Sequence, residues 1–372
     1  MEAELDPVDG AATPAAYSSK MMSPHADRLR AITRHVGAPS SGAVAGWAEV
    51  KPWTYEHVPR LPVGSPELRV HLQEHGFAIA ASVLPQAKVE KALEMIWDTI
   101  EARSDGKIDR NDTSTWDAGS FGVDVHSEAL WFVRGQPEVA AVWAGLLDVD
   151  VSELVVSYDG ASLWKRGGDG GMGLHTDRAA VHSDSLENRI PVEPGDRPEY
   201  FQGFVNLLRS SEQTGGNVVV PGSHKLFKEL AAQYCSEAKP MLDVGQVLAD
   251  RPQLFDRIVM GHMEPGDVFL WDDRTIHANA AGRGPGAKEV EFARAACYVT
   301  MSKKSLLSEE ALETRRLGWQ RGVGNGHPAH HPLPRSRFDG AKAGGKGWGA
   351  GVTLTETGTP LNAFQRSLVP LE

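Results

Sequence analysis

Short apolar runs, separated by turn-forming residues, fill the middle of the chain between about residues 154 and 301. Runs of this kind, bounded by glycine, proline, asparagine or aspartate, are typical of buried β-strands. The predicted strands cover residues 154–158, 161–164, 201–208, 215–220, 268–271 and 290–301. Strands and helices do not alternate along this region, which argues against a Rossmann-type parallel sheet.

Helical periodicity is concentrated before these strands. Val89, Leu93, Ile96 and Ile100 recur at helical spacing, and Pro137 is well placed to begin a second helix. A short strand is predicted at residues 75–80, and further helices after residues 226 and 308. This arrangement predicts a mainly β fold with flanking helices, of the double-stranded β-helix (jelly roll, cupin-like) type.

The composition changes twice along the 372 residues. Residues 1–64 are rich in alanine, serine, proline and glycine, with one short amphipathic segment at 28–36, and are predicted to be an N-terminal extension. Residues 65–320 carry the periodic segments and are predicted to form the double-stranded β-helix. Residues 321–372 are rich in glycine, proline and histidine, and we expect them to pack on or near the core as a tail.

The net charge of −11 argues against general binding to nucleic acid or to anionic membranes. The sequence has only two cysteines, no apolar run long enough to span a bilayer, and an acidic N-terminus without a signal-peptide core. We therefore expect a soluble cytoplasmic protein, a monomer or a homodimer.

A glycine-rich stretch, residues 167–177, ends in His-Thr-Asp. His175 and Asp177 lie two positions apart, so an extended backbone directs both side chains to one face. With one distant histidine they would form the two-histidine, one-carboxylate triad of non-haem iron enzymes. His277, at the end of Trp-Asp-Asp-Arg-Thr-Ile-His, is the candidate third ligand.

The His-x-Asp pattern is not unique in this chain, which has 14 histidines. It also occurs at His25/Asp27, beside a short helical segment, and at His182/Asp184, in a polar stretch. The pair at 175 and 177 is favoured because it alone follows a predicted strand through a glycine-rich approach.

An ordered series of motifs resembles the phytanoyl-CoA dioxygenase-like family of Fe(II)/2-oxoglutarate oxygenases. The series extends over residues 68–319 and runs in the order His175-Thr-Asp, Gln202-Gly-Phe-Val-Asn-Leu, Gly215-Gly, Val220-Pro-Gly-Ser-His-Lys, Gly266-Asp, Trp271, Asp273, His277 and Arg294. Each motif is weak alone, but the order is specific, and it too selects His175 over His182.

The resemblance implies Fe(II) held by His175, Asp177 and His277, with 2-oxoglutarate as cosubstrate and O2 as oxidant. It also implies a basic residue for the far carboxylate of 2-oxoglutarate, a role for which an arginine fork is suited. Arg294 is the preferred candidate and Arg283 the competitor, because Arg294 lies farther from His277 than is usual in the family. By the same resemblance, Asn279, two residues after His277, is expected to help hold the same carboxylate, and Gln202 to face the cosubstrate or the substrate.

The activity implied by the resemblance is oxidation, in the simplest case hydroxylation, of a C–H bond with release of succinate and CO2. Halogenating relatives replace the carboxylate ligand with a small residue, whereas Asp177 is present here. The alternative is a metal-binding jelly roll with an isomerase-like or scaffold role, which would not consume 2-oxoglutarate.

Several other polar residues have both a structural and a functional interpretation. Asp272 and Asp273 are interpreted as turn residues or as groups that orient His277, and His224 as a turn residue. His327, His330 and His331 belong either to a solvated loop or to a segment that closes over the active site. Lys165 and Arg166 could attract an anionic substrate, Cys297 should face away from Arg294, and Trp164, Trp271 and Trp319 could line a pocket or pack in the core.

Overall fold

The computed structural model describes residues 58–116, 120–123, 125–165, 174–178, 201–211, 213–236, 241–281, 292–324, 327–333 and 360–369. The amphipathic segment predicted at 28–36 lies outside these ranges.

The described strands form three sheets. The strands are β1 (Arg60–Pro62), β2 (Phe77–Ala81), β3 (Ser120–Val123), β4 (Leu154–Val156), β5 (Ala161–Lys165), β6 (Gln202–Asn206), β7 (Gly215–Val219), β8 (Val259–Met260), β9 (Val268–Trp271), β10 (His277–Ala281), β11 (Phe292–Tyr298) and β12 (Met301–Lys303). The large sheet has the order β1-β2-β9-β6-β11-β5-β3, the small sheet β10-β7-β8, and β12 pairs with β4. Apart from the parallel pair β1–β2, the neighbouring strands are antiparallel.

Most of the described helices flank the sheets. They are α1 (Pro66–His75), α2 (Gln86–Arg103), α3 (Glu128–Arg134), α4 (Pro137–Leu147), α5 (Phe227–Tyr234), α6 (Val244–Asp250), α7 (Glu309–Arg321) and α8 (Ala363–Ser367). As expected from the sequence, α4 begins at Pro137, and the side chain of Ser308 caps α7. Within the described ranges, no helix combines the length and hydrophobicity that a bilayer span requires.

Helix α1 was not predicted, because Leu68 and Leu72 flank Val70 in an alternating pattern that suggested an extended approach. The structure buries both leucines and leaves Val70 55% exposed, as one face of a helix would. Its boundary signals are nevertheless in the sequence. Ser65 accepts a hydrogen bond from the Leu68 amide, and Gly76 ends the helix in the left-handed conformation.

Both faces of the large sheet are buried, and this explains why its strands are apolar runs rather than alternating segments. On β2, Phe77 and Ile79 face the interior between the sheets, whereas Ala78 and Ala80 face a second core under the helices. On β9, Phe269 and Trp271 face the interior while Val268 and Leu270 face the helices. Two apposed sheets with helices outside confirm the predicted mainly β, jelly-roll fold.

The segment predicted as one strand over 290–301 is two strands, β11 and β12. Between them, Ser157 donates its backbone N–H to the Thr300 carbonyl and its side chain accepts from the Thr300 amide. The chain therefore leaves the large sheet at Thr300 and pairs with β4. The apolar pattern continues through this change of sheet because Val299 and Met301, on either side of Thr300, are both buried.

Segments at both ends of the described chain contact this core. Strand β1, which precedes the predicted boundary at residue 64, pairs with β2 at the edge of the large sheet. Arg60 on β1 forms a two-pronged ion pair with the buried Asp267 at 2.6 and 2.8 Å. Near the other end, Leu361, Leu368 and Val369 are buried in the core beneath the helices.

Candidate metal centre

Backbone pairing brings His175 and His277 together, although about a hundred residues separate them in the chain. The His175 amide donates to the His277 carbonyl at 3.0 Å, and the His277 amide donates to the His175 carbonyl at 2.9 Å. Two residues later, the amide of Asp177 donates to the carbonyl of Asp273 at 3.0 Å. These bonds place the His-Thr-Asp segment directly against the start of β10.

The side chains of His175, Asp177 and His277 converge, with one ligand atom from each within 4.8 Å of the others. Asp177 Oδ1 lies 3.4 Å from His175 Nε2, and Asp177 Oδ2 lies 3.2 Å from His277 Nε2. The side chain of His277 is 6% exposed, whereas those of Asp177 and His175 are 16% and 23% exposed. The triad is therefore closed behind His277 and open beside His175, as a metal site that receives further ligands must be.

The orientation of His277 is fixed by a backbone carbonyl. Its Nδ1 lies 2.9 Å from the Thr275 carbonyl, an acceptor only, so Nδ1 carries the proton and Nε2 faces the triad. Of the two interpretations of Asp272 and Asp273, the structure favours that of turn residues, since the Thr275 amide donates to the Asp272 carbonyl at 2.9 Å. The two carboxylates form ion pairs with neighbouring arginines, Asp272 with Arg274 and Asp273 with Arg178.

Electrostatics in the site favour the protonation states that a metal requires. Burial raises the pKa of Asp177, but the neighbouring imidazoles of His277 and His175, and the more distant His327, outweigh burial and hold that pKa well below its ordinary value. For His277, burial lowers the pKa and outweighs the attraction of Asp177. A carboxylate and a neutral imidazole are the forms that bind metal ions.

Trp271 is the nearest supporting side chain that sequence reasoning left undecided. Its indole Nε1–H donates to Asp177 Oδ2 at 3.3 Å, and its ring centroid lies 5.4 Å from that of His277. Trp271 therefore orients Asp177 through a hydrogen bond and packs against the ring of His277.

A buried arginine lies deeper in the interior. Arg294 is 3% exposed, its guanidinium lies over the rings of Trp164 and Phe204 at 4.6 and 5.1 Å, and Nη1 donates to Asn279 Oδ1. A bulge in the pairing of β11 with β5 immediately precedes it, a device that can redirect a side chain. Within the described ranges, Nε and Nη2 of Arg294 have no hydrogen-bond partner, although both are buried. Burial lowers the pKa of this group.

Two buried amide side chains, Gln202 on the large sheet and Asn217 on the small sheet, lie on the strand faces that enclose the interior. Gln202 pairs with Trp271 across β6 and β9, and Asn217 pairs with Asn279 across β7 and β10. Gln202 Oε1 and Asn217 Oδ1 have no partner among the described residues. Buried polar atoms without partners are costly. The unpartnered Arg294 donors fit an anionic group between the sheets, whereas the two amide oxygens, which only accept, fit a hydrogen-bond donor of a ligand. Asn217 was missed from the sequence, where a lone asparagine in an apolar strand was the available signal.

The C-terminal histidines divide between two roles. His327 forms an ion pair with Asp159 and packs its ring against Trp271 and Tyr298, near the triad. His330 lies 2.9 Å from the Ser302 hydroxyl and 4.4 Å, between centroids, from His331. The contacts of His327 support a position beside the site rather than in a solvated loop, and closure of this segment over the active site stays a prediction.

The remaining candidates lie elsewhere or outside the described ranges. His224 lies against α1, with Nε2 3.0 Å from the Gln73 carbonyl, as suits a structural residue. Cys297 is buried on the helix-facing side of β11, away from Arg294, and Trp319 packs against His126 and Trp131. The structure does not describe His25, Asp27, Arg166, His182, Asp184, Arg283 or the Lys165 side chain.

A jelly roll that holds two histidines and a carboxylate at its open end defines a class of non-haem metal enzymes. The chain belongs to the phytanoyl-CoA dioxygenase (PhyH) family, whose profile matches residues 72–290. It is thus a non-haem dioxygenase that uses Fe(II), 2-oxoglutarate and O2, and the resemblance inferred from the motif series is confirmed.

Individual relatives are distant. Ava biosynthesis cluster protein O of Aspergillus versicolor is 26% identical over 258 residues, 60% of this chain and 73% of its own. A Dictyostelium discoideum protein provisionally named a phytanoyl-CoA dioxygenase is 23% identical over 265 residues, 59% of this chain and 72% of its own. The solved structure of GlcNAc Inducible Gene 2 of Candida albicans superimposes with a TM-score of 0.58 at 11% identity, covering 96% of this chain and 88% of that one. That last likeness concerns the fold alone.

Proposed function

We propose that His175, Asp177 and His277 hold the catalytic Fe(II), and that the enzyme hydroxylates a C–H bond of a small-molecule metabolite. The observation that carries the proposal is the convergence of these three side chains within 4.8 Å at the open end of the jelly roll. When bound, Fe(II) couples the reaction of O2 with 2-oxoglutarate, which gives succinate and CO2, to insertion of one oxygen atom into the C–H bond.

The surrounding residues have separable roles in this proposal. Arg294 offers two nitrogen donors, Nε and Nη2, which have no partner among the described residues, to the far carboxylate of 2-oxoglutarate. Asn279 orients the guanidinium by accepting from Nη1. Gln202 and Asn217 supply amide groups to the same ligand or to the substrate. The aromatic rings of Trp164, Phe204 and Trp271 belong to one buried apolar cluster. This apolar surrounding strengthens the electrostatic contacts that Arg294 makes with a ligand.

Two observations support the substrate class and the outcome. One relative carries the name of a biosynthesis cluster protein, which favours a metabolite as substrate. The retained carboxylate of Asp177 favours oxygen insertion over halogenation, since it fills the position that a halide would need. A cytoplasmic location and a monomeric or homodimeric state stay predictions.

The first experiment is an anaerobic titration of the enzyme with Fe(II) and 2-oxoglutarate, followed by the visible charge-transfer band of the iron–2-oxoacid complex. We expect His175→Ala to abolish the band. Arg294→Ala should retain the band but shift it to 2-oxoglutarate concentrations roughly tenfold or more higher, because a charge-assisted carboxylate contact contributes on the order of 1.5–3 kcal/mol.

Two variants outside the triad serve as controls. His330→Ala removes a histidine that contacts Ser302, and Arg251→Ala removes an arginine paired with Glu229 on α5. Both should titrate like the wild type. A folded wild-type protein that gives no band with either component in excess would overturn the proposal.

A further inference from the structure

The segment of residues 327–333, here called the C-terminal strap, is tied to the core independently of the active site. Arg315 on α7 donates to the Ala329 carbonyl at 2.8 Å, and Thr314 accepts from the Leu333 amide at 3.0 Å. The Arg315 side chain is fully buried and lies 4.3 Å over the ring of Tyr158. The strap is thus positioned by fixed groups, and its first residue, His327, is brought to the edge of the triad.

His327 packs against the wall of the metal centre. Its ring lies edge-on to Trp271, with centroids 5.7 Å apart, and 5.4 Å from Tyr298. Trp271 in turn donates its indole N–H to Asp177. The same indole therefore contacts both the imidazole of His327 and a proposed metal ligand.

Asp159 fixes the orientation and the charge of His327. Asp159 Oδ2 lies 2.7 Å from His327 Nδ1, and its side chain is 13% exposed. Burial lowers the pKa of His327, but Asp159, through its charge and its hydrogen bond, and the more distant Asp177 outweigh burial and raise that pKa to about 9. The ring therefore carries a proton on both nitrogens near neutral pH.

The second nitrogen of the ring is available to a ligand. Within the described ranges, Nε2 of His327 has no hydrogen-bond partner, and the side chain is 29% exposed, more than that of His175. A purely structural ion pair would explain the contact with Asp159 but not the exposed edge. The strap also has its own anchors at Arg315 and Thr314, so it does not need the ion pair to stay in place.

We propose that His327 is a substrate-binding residue, which receives an anionic group, a carboxylate or a phosphate, of the molecule that the enzyme oxidises. This inference rests on the proposed function. The Nε2–H group makes a charge-assisted hydrogen bond to that anion, and Asp159 is a positioning residue that holds the ring. Arg294 and His327 would then receive two different anions, the cosubstrate in the interior and the substrate at the mouth.

The test measures anion binding through the indole N–H resonance of Trp271, whose ring contacts His327 and is retained in the anion-binding variants. Enzyme labelled with 15N-tryptophan is loaded with Zn(II), a diamagnetic stand-in for Fe(II), and with 2-oxoglutarate, and the Trp271 resonance is assigned by its loss in Trp271→Phe. The probes are acetate, methyl phosphate and the neutral acetamide. We expect a saturable shift with acetate or with methyl phosphate, and the stronger of the two identifies the substrate's anionic group.

Variants locate the binding. His327→Gln should weaken binding of the preferred anion about tenfold or more, and Asp159→Asn should weaken it as well. His330→Gln, which changes a strap histidine that contacts Ser302, should bind like the wild type. Acetamide should cause no saturable shift.

The inference is overturned if neither anion gives a saturable shift in the wild type, or if His327→Gln binds the anion as tightly as the wild type. The iron–2-oxoglutarate band separates this failure from failure of the proposed function. If the wild type forms the band but shows no saturable shift with acetate or methyl phosphate, only the proposed role of His327 is refuted. If the band is absent, the proposed oxygenase site itself is refuted.

Discussion

At the scale of single residues, Trp271 connects the parts of the centre. Its N–H bonds Asp177, its ring packs against His277 and His327, and the register of the large sheet places it beside Gln202. The side chain is 2% exposed, so its position is fixed by packing. A buried donor to a metal-binding carboxylate is expected to tune affinity for the metal.

Replacing Trp271 with phenylalanine tests this role. Trp271→Phe keeps an aromatic wall but removes the donor to Asp177, and we expect Fe(II) affinity to fall roughly 10–100-fold. Anaerobic competition with a chelating dye measures the affinity. Trp143→Phe is the control, because it removes a buried indole that donates to the Phe201 carbonyl on the helix-facing side of the large sheet. Equal losses in both variants would mean that general destabilisation, not the bond to Asp177, is responsible.

The His327–Asp159 pair predicts a particular pH dependence of stability. The pKa of His327 is raised from 6.5 to about 9, so its contribution to folding is full below about pH 6.5 and is lost as pH rises through 9. Burial raises the pKa of Asp159, but His327 outweighs it and lowers that pKa, so the aspartate contributes above its unfolded pKa of 3.8. Urea unfolding of wild type and Asp159→Asn should therefore differ most near pH 6 and progressively less toward about pH 9.5. A difference that stays constant over this range would refute the ion pair.

At the scale of elements, the turn before β9 sets the position of the strand that carries Trp271. Gly266 has φ +90°, and a Cβ added there would lie 2.1 Å from the Leu84 carbonyl oxygen. Asp267, next in the turn, accepts from the Ser82 and Glu264 amides as well as from Arg60. The turn thus joins β1, the end of β2 and β9 at one point.

A pair of glycine substitutions separates backbone strain from steric overlap. Gly222 also has a positive φ, +77°, but an added Cβ there would meet nothing within 4 Å. Gly222→Ala should cost about 1–2 kcal/mol from the left-handed backbone alone, and Gly266→Ala should cost about 1–3 kcal/mol more from the overlap with Leu84. Chemical denaturation measures both values. Similar costs in the two variants would show that the turn relaxes around the added methyl group.

At the scale of the whole molecule, a metal ion bound by the candidate triad would add a further link between two segments that backbone hydrogen bonds already hold together. His175 comes from the segment after β5, and His277 from the small sheet, so a metal ion held by both links distant parts of the chain. Ligands that bind only the folded state stabilise it by mass action, by about 2.7 kcal/mol at a hundred times Kd.

Anaerobic calorimetry with Fe(II) and 2-oxoglutarate should accordingly raise the Tm of the wild type by several degrees. His175→Ala should lose most of this increase, because the metal loses one ligand and the link between the two segments. Adding a chelator to the loaded wild type should return its Tm to that of the unloaded protein. If the wild type and His175→Ala gain equally, Fe(II) binds elsewhere.

Much of the fold could be predicted, because it is encoded locally. The strands of the large sheet are continuous apolar runs because both faces are covered. Helix α4 begins at a proline and α7 is capped by Ser308, and neither signal needs a distant partner. Helix α1 and the break at Thr300 escaped prediction. The first has an exposed valine in its apolar pattern, and the second depends on which sheet the chain joins.

The sequence by itself determined the family, through the order of its motifs, and the candidate triad, because residues two apart on an extended backbone share a face. Only the tertiary structure decided which groups support that triad. Asp272 and Asp273 are adjacent to the motif yet form ion pairs with arginines, while the Thr275 carbonyl orients His277 and Trp271 bonds Asp177. Likewise, no local pattern joins His327 to Asp159. Periodicity records which face a residue occupies, but the partner it meets there depends on how distant segments are folded together.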